Sequence, residues 1–367
     1  MNLQRLAASL TIALTLSHSP AALAAADANA PSPAPASASD AYDPTQPVSG
    51  APKPEPLKPD APKSAAPAAP AAAGTDIQLP APSASLLPRI GPVPVPSKTK
   101  SFIWEVKSPT NTVWLFGTIH VGKRAFYPLS EAVETAFDNS AKLVVEADVS
   151  DSASSNDVNS LISYFPPDTL DKNIPKSLYD RLVIQLVRLK IPEAAVKPMK
   201  PFVVGGFLSV VEFSRLGYDM NLGVDAYLLS RAKEAGKPVE ELESVRSQLE
   251  MLAGMPANLQ EAFLDNAIAA LELNRSADQV TGMVNAWQTG DAKLMAEVID
   301  EVNRDMKLTA QLDEIMLHGR HDAMLQKIEG YLAGKEPRFI ALGSLHLIGP
   351  RGLIQALRSK GFEVTQK

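Results

Sequence analysis

The sequence contains no cysteine among its 367 residues. This absence excludes a disulfide framework and any metal site built on thiolates. An excess of basic charge is also lacking, because 35 Lys and Arg side chains are outnumbered by 41 Asp and Glu side chains and the net charge is −6. No basic stretch with interleaved aromatic residues occurs, so we do not expect nucleic acid to be a partner. Beyond the N-terminal region, no apolar run approaches the length of a membrane-spanning helix.

Residues 1–24 have the pattern of a secretory signal peptide. Arg5 precedes an apolar run at residues 6–16, and an Ala-Leu-Ala cleavage site follows at residues 22–24. The run is too short for a permanent membrane helix, although an uncleaved anchor is the alternative. No cysteine follows the run, which excludes a lipid-anchored lipoprotein. Export without disulfides fits a bacterial periplasmic or secreted protein better than a small extracellular eukaryotic module. We therefore expect a periplasmic or secreted protein, with no transmembrane segment after signal cleavage.

Residues 25–98 have a composition that does not favour folding. The segment is rich in Ala, Pro, Ser and Lys, and residues 1–98 contain 19 of the 31 prolines. Too few large apolar side chains are present to offset the entropy of ordering the chain, so we predict a disordered, partly polyproline-like linker. A spacer through cell-envelope material and a dispensable tail are both consistent with this composition.

The remaining segment, residues 99–367, contains two similar motifs. Residues 112–120 and 338–346 are each a run of apolar residues of strand length that ends in Gly-x-x-His, with glycines at Gly117 and Gly343. A helix-compatible stretch and another strand follow each motif. We expect each glycine to end its strand where the backbone turns. Open α/β sheets place their chemistry beyond the carboxyl ends of the strands, so we expect His120 and His346 to share one cleft.

The pattern between the two motifs changes to helices. After a predicted hairpin at residues 102–116 and a strand at 142–147, apolar residues recur about every 3.6 positions from residue 176 to 332, with one strand candidate at 238–243. The chain must therefore return its C-terminal strands to the N-terminal ones to complete a sheet. The prediction is an α/β (α+β) fold that has strands at both ends and a large helical insertion.

His318 and His321 lie three residues apart on a predicted helix. Two imidazoles at this spacing could share one metal ion. The segment is polar, however, and no third ligand lies nearby in the sequence, so a structural role for this pair is the stronger interpretation.

The residues around the first motif resemble the TraB/GumN family, which also includes the Tiki-type metalloproteases. The resemblance starts at Gly117-Thr-Ile-His120-Val-Gly and covers residues 101–367. It continues through further short motifs, at residues 143–148, 197–201, 216–219, 222–225, 235–238, 242–243, 248, 287–291 and 343–349. The resemblance implies a fold related to the erythromycin-esterase and ChaN-like group, with a central mixed sheet built from two pseudo-symmetric strand–GxxH–helix–strand units.

The resemblance also implies a divalent-metal hydrolytic centre. It assigns His120, His346 and Glu146 to the metal, although Glu146 could instead orient His120. Glu243 becomes the candidate general base, with a surface role as its alternative. The further assignments are Arg320 as the group that holds a substrate carboxylate or oxyanion, and Asp225 and His321 as weaker candidates. Many family members have Arg-Asn where this chain has Arg320-His321, so residue 321 either forms a hydrogen bond or adds a ligand.

Imidazole and carboxylate ligands suit Mn, Co, Zn or Fe. The predicted function is therefore an exported metal-dependent hydrolase that cleaves a peptide or amide bond with a metal-activated water. Its partner would be a peptide or another small envelope substrate, and the helical insertion leaves a homodimer open. The alternatives are a protein that sequesters a peptide, pheromone or metal cofactor, a polysaccharide-related accessory protein, and a scaffold with a vestigial site.

Overall fold

The computed structural model of the protein describes residues 100–148 and 156–367. The predicted signal peptide at 1–24 and the predicted linker at 25–98 lie outside these residues. Within the described ranges, no helix combines the length and the apolar character needed to cross a membrane.

The described residues form one six-stranded sheet with the strand order β4-β3-β5-β2-β1-β6. The strands are β1 (Ile103–Lys107), β2 (Thr112–Thr118), β3 (Lys142–Val145), β4 (Val239–Glu241), β5 (Arg338–Gly343) and β6 (Glu363–Gln366). The pairs β2–β5, β5–β3 and β3–β4 are parallel, whereas β1 is antiparallel to both β2 and β6. The sheet is therefore mixed, and the predicted α/β fold is confirmed.

The helices, numbered in chain order, are α1 (Glu131–Asp138), α2 (Asn156–Ile162), α3 (Leu170–Asn173), α4 (Lys176–Leu189), α5 (Glu193–Val196), α6 (Pro201–Arg215), α7 (Val224–Glu234), α8 (Val245–Ala253), α9 (Ala257–Leu273), α10 (Ser276–Gln288), α11 (Ala292–Asn303), α12 (Thr309–Met316), α13 (His321–Ala333), α14 (Ser344–Leu347) and α15 (Leu353–Ser359). Short 3-10 turns lie at Arg124–Phe126, Met220–Leu222 and His318–Arg320. The helical insertion predicted from the apolar periodicity is therefore present between β3 and β5.

The two motif-bearing strands, β2 and β5, are direct neighbours near the middle of the sheet. They pair in parallel, with Thr118 opposite Gly343, so both motifs end at the same edge. The strands that follow the motifs are not placed equivalently, because β3 pairs with β5 while β6 lies beyond β1. The two strand–GxxH–helix–strand units are thus alike in sequence pattern, but their second strands occupy different positions in the sheet.

Buried side chains form two hydrophobic clusters. The sheet cluster surrounds the strands and includes Leu115, Val144 and Ile340. The helical cluster lies within the insertion and includes Phe202 and Phe263. Because parallel strands are covered on both faces, their central residues read as continuous apolar runs, as they do in β3 and β5.

Ser130 occupies the N-cap position of α1, but its hydroxyl forms no capping bond. The hydroxyl instead lies 2.6 Å from the Ser101 hydroxyl. The Glu134 carboxylate accepts the Leu129 N–H at 2.9 Å just before the helix. The start of α1 is therefore stabilised by a carboxylate from its first turn, which also suits the positive end of the helix dipole.

Candidate metal and catalytic site

Gly117 and Gly343 serve different structural purposes. Gly343 is the last residue of β5, as predicted. Gly117 does not end its strand, because β2 continues to Thr118. A Cβ at Gly117 would lie 2.6 Å from the Phe102 ring, so close packing explains this glycine. The Gly117 carbonyl also accepts the Trp287 indole N–H at 2.8 Å.

His120 follows β2 and is held by a carboxylate. Its Nδ1 lies 2.6 Å from Asp225 Oδ2, in the first turn of α7. The other oxygen, Asp225 Oδ1, accepts the Thr118 hydroxyl at 2.7 Å. His120 Nδ1 donates the hydrogen bond to Asp225 Oδ2, because a carboxylate oxygen only accepts. Asp225, a weak candidate from the sequence, is therefore the residue that orients His120.

His346 is completely buried in the short helix α14 and is held by a second histidine. His346 Nδ1 lies 3.0 Å from His321 Nε2, and His321 Nδ1 lies 2.9 Å from the Arg351 carbonyl oxygen. Burial lowers the pKa of His321 to about 3 and also lowers the pKa of His346, so both rings are neutral near pH 7. The carbonyl must accept from His321, which leaves His321 Nε2 to accept from His346 Nδ1. His346 Nε2 is consequently the ring nitrogen that accepts.

Arg320 connects His346 to two carboxylates. Its Nη1 donates to His346 Nε2 at 3.2 Å and to the Met316 carbonyl oxygen at 2.7 Å. Its Nη2 donates to both Glu146 Oε1 and Glu243 Oε2, and its Nε donates to Glu243 Oε1 at 3.0 Å. All of these groups come from different elements of the chain. Arg320 is thus the centre of the network.

Glu146 directly follows β3 and is buried. Its Oε2 accepts the Gly343 N–H at 3.1 Å, and its Oε1 lies 3.7 Å from His346 Nε2. Burial would raise the pKa of Glu146, but the positive charge of Arg320 outweighs it and holds the pKa well below its usual value. The carboxylate is therefore ionised. The contacts of Glu146 with Arg320, Gln248 and Gly343 place it inside the network.

Gln248 in α8 is a member of this network to which the sequence assigned no role. Its amide donates to Glu146 Oε1 at 2.8 Å and to Glu243 Oε2 at 3.0 Å. Glu243 lies beside Glu146 because its backbone N–H donates to the Glu146 carbonyl oxygen at 2.8 Å. A buried glutamine at helical spacing carries no signal of its own, so only the family resemblance at residue 248 marked this position.

The donor types fit a divalent metal ion. In both His120 and His346, Nδ1 is held by another side chain, and a partner of this kind usually accompanies a metal-binding histidine. In the described residues, however, no three His, Asp or Glu side chains are grouped closely enough to hold an ion. Two of the three predicted ligand atoms, His346 Nε2 and Glu146 Oε1, are bonded to Arg320.

The His318 and His321 pair does not present a second set of ligands. Their rings meet edge to face with centroids 5.3 Å apart. Both nitrogens of His321 are engaged, by Arg351 and His346. Burial, followed by Arg351, lowers the pKa of His318, so that ring is neutral. The structural interpretation of this pair agrees with these contacts.

Comparison with known proteins places this arrangement in context. The chain is 26% identical over 249 residues to the uncharacterized protein YbaP of Escherichia coli strain K12, an alignment that covers 66% of this chain and 87% of YbaP. It is 22% identical over 322 residues to the metalloprotease TIKI2 of Danio rerio, covering 72% of this chain and 60% of TIKI2. The metalloprotease TIKI1 of Xenopus tropicalis is 21% identical over 318 residues, covering 73% of this chain and 62% of TIKI1.

No solved structure matches the chain. Residues 102–366 match the sequence model of the TraB/PrgY/gumN family. That range includes both Gly-x-x-His motifs, the helical insertion and every residue of the network around Arg320. The chain therefore belongs to the TraB/PrgY/gumN family.

Proposed function

We propose that the protein is an exported metal-dependent hydrolase that cleaves a peptide or amide bond. The observation that carries this proposal is that Arg320 joins His346, Glu146 and Glu243 in one hydrogen-bonded network. Perturbed titratable groups that gather at the carboxyl ends of parallel strands are typical of a catalytic site. Two relatives named as metalloproteases support the same reaction class.

A divalent ion would be held by His120, His346 and Glu146. When bound, such an ion lowers the pKa of a coordinated water toward neutrality and polarises a carbonyl oxygen. Asp225 and His321 would keep the two imidazoles in the tautomers that leave Nε2 available. Mn, Co, Zn and Fe all suit this mixture of nitrogen and oxygen donors.

Glu243 would accept the proton of the attacking water. Among the four groups around Arg320, its side chain is the most accessible, with 17% exposed against 8% for Glu146. Arg320 keeps its charge, because the nearby carboxylates raise its pKa against the opposing effect of burial. A permanent positive charge at this position would stabilise the oxyanion that forms as the carbonyl is attacked.

A protein that binds its ligand without cleaving it is the second candidate. The observation in its favour is that both Glu243 oxygens accept hydrogen bonds, from Arg320 and Gln248. A carboxylate engaged in this way is a weaker base than a free one. Binding would need the pocket and the ligands but no proton acceptor.

Metal content of the purified full chain tests the proposal. We expect about one divalent ion per chain, and loss of the ion in His120→Ala and His346→Ala variants that remain folded by circular dichroism. Glu243→Gln should keep the ion and lose cleavage of a peptide library supplied with Mn, Co or Zn. A wild-type chain that binds none of these ions would refute the metal-dependent mechanism. A chain that binds an ion and cleaves no peptide would favour the sequestering function.

Export is tested separately by N-terminal sequencing of the protein from a periplasmic extract. We propose cleavage after residue 24, so the mature chain should begin at Ala25. An intact Met1 in the extract would contradict cleavage at this site.

A further inference from the structure

We propose that Arg320 is a built-in cation that competes with a divalent metal ion for two ligand atoms, His346 Nε2 and Glu146 Oε1. The proposal rests on the proposed function, because it concerns the same candidate metal site. Arg320 Nη1 donates to His346 Nε2 at 3.2 Å, and Nη2 of the same guanidinium donates to Glu146 Oε1. One group therefore holds both atoms, which lie 3.7 Å from each other.

These two atoms are the ones that a metal ion would need. His346 Nδ1 is bonded to His321 at 3.0 Å, so Nε2 is the only ring nitrogen left as a ligand. Glu146 Oε2 accepts the Gly343 N–H at 3.1 Å, so Oε1 is the oxygen that faces the network. A metal ion bound there would take the lone pairs that now accept hydrogen bonds from Arg320.

Arg320 has other contacts that do not involve these atoms. Its Nε donates to both Glu243 oxygens at 3.0 Å, and its Nη1 also donates to the Met316 carbonyl oxygen at 2.7 Å. The guanidinium can therefore release Glu146 and His346 and still be held beside Glu243. Such a movement would leave the charge of Arg320 within the site rather than expel it.

The chemical consequence is a site whose negative charge is partly offset before a metal ion binds. Buried carboxylates without a partner strongly oppose folding, and Arg320 supplies that partner for Glu146 and Glu243. Metal binding must then displace hydrogen bonds to a charged group, which are stronger than neutral ones. Arg320 should thus weaken metal affinity while allowing the metal-free chain to fold.

The test measures the Kd of Zn²⁺, Mn²⁺ and Co²⁺ for the full chain by calorimetry. We expect Arg320→Met to bind the preferred ion at least tenfold more tightly than the wild type. The matched control is Arg338→Met, which removes a partly buried arginine of β5 that is bonded to Glu240 instead of the site. Its Kd should equal that of the wild type, which separates competition at the ligand atoms from a general change in charge.

Two further measurements cover the case in which Arg320→Met does not fold. The double variant Arg320→Met with Glu243→Gln removes one negative charge together with the positive one, and it should also bind more tightly than Glu243→Gln alone. In the wild type, the ¹⁵N NMR signals of the Arg320 Nη1 and Nη2 groups, assigned by their absence in Arg320→Lys, should shift when zinc is added. The ring signals of His346 should shift with them.

The outcomes separate this proposal from the proposed function. Tighter binding after removal of Arg320, with an unchanged control, supports competition. Equal or weaker binding in both Arg320 variants, or an Arg320 signal that is unchanged in zinc-saturated protein, overturns competition and leaves the metal site standing. If neither the wild type nor any variant binds an ion, competition is overturned and the metal-dependent function falls with it.

Discussion

The two Gly-x-x-His motifs are nearly identical in pattern, yet their histidines are held by opposite kinds of partner. His120 follows β2 in a loop and is held by the anionic Asp225. His346 lies in the short helix α14, where the neutral His321 and the cationic Arg320 contact its two nitrogens. The motif therefore sets where each imidazole lies, and the surrounding elements set its electrostatic environment.

Because of this difference, we expect a substitution beside His120 to affect fewer groups than a substitution beside His346. Around His120, the charged partner is a carboxylate at a helix N-terminus. Around His346, the charged partner is Arg320, which also pairs with the carboxylates of Glu146 and Glu243. Loss of Arg320 therefore affects several groups at once. Variants on each side of the site test this contrast.

Replacing Arg320 with Ala should be the most destabilising change. Glu146 and Glu243 would remain near each other without their shared cation, and breaking a buried ion pair in this way costs about 3–5 kcal/mol. Urea unfolding at pH 7 measures the change in the free energy of unfolding. The control is Arg246→Ala, which removes an exposed pair with Glu250 worth about 0.3–0.5 kcal/mol. Equal effects of the two variants would show that the Arg320 network contributes little to stability.

Asp225→Asn should act on the other histidine without changing the fold. If the amide nitrogen faces His120, that ring must reverse its tautomer and place the proton on Nε2, the nitrogen proposed to bind metal. Changes to residues that orient a metal-binding histidine typically lower metal affinity about 10–100-fold. Calorimetry with the preferred ion measures the loss. Asp138→Asn, at an exposed carboxylate paired with Arg231, should leave the affinity unchanged.

His321 should make stability depend on pH below about 6.5. Its folded pKa of about 3 lies below the unfolded value of about 6.5, so the unfolded chain binds more protons between these limits and stability falls as the pH falls. The expected loss between pH 6.5 and pH 5 is about 2 kcal/mol. The buried carboxyl of Asp313, whose pKa burial raises to about 7, acts in the opposite direction.

The comparison of wild type with His321→Gln isolates this contribution. The glutamine side chain reaches about as far as His321 Nε2, so its amide oxygen can accept the His346 Nδ1–H bond, but it does not titrate. Unfolding curves at pH 6.5 and pH 5 should therefore show a smaller loss of stability in the variant. The same loss in both proteins would mean that His321 does not control the acid sensitivity.

Thr118→Val should have the smallest effect. The Thr118 hydroxyl donates to Asp225 Oδ1 at 2.7 Å, and its removal should cost about 1 kcal/mol. Thr118→Ser keeps the hydroxyl and should restore most of this stability in the same urea measurement. An effect as large as that of Arg320→Ala would contradict the contrast between the two sites.

The sequence by itself determined much of the fold. Apolar periodicity located the helices of the insertion, and the run before each motif predicted β2 and β5. A hairpin around Ser108 and Asn111 was also predictable, because turn residues separate two strand-like runs. Since the carboxyl ends of parallel strands meet at one edge, the pairing of the two motifs followed from the same reasoning.

Only the tertiary structure decided the partner of each histidine. Glu146 ends an apolar run, and a period of two residues cannot tell whether such a carboxylate faces the site or the solvent. The contacts of Asp225, His321 and Gln248 join residues that are far apart in the chain, so each depends on how separate helices pack against the sheet. Sequence spacing specifies local direction within one element, whereas hydrogen bonds between elements are fixed by packing.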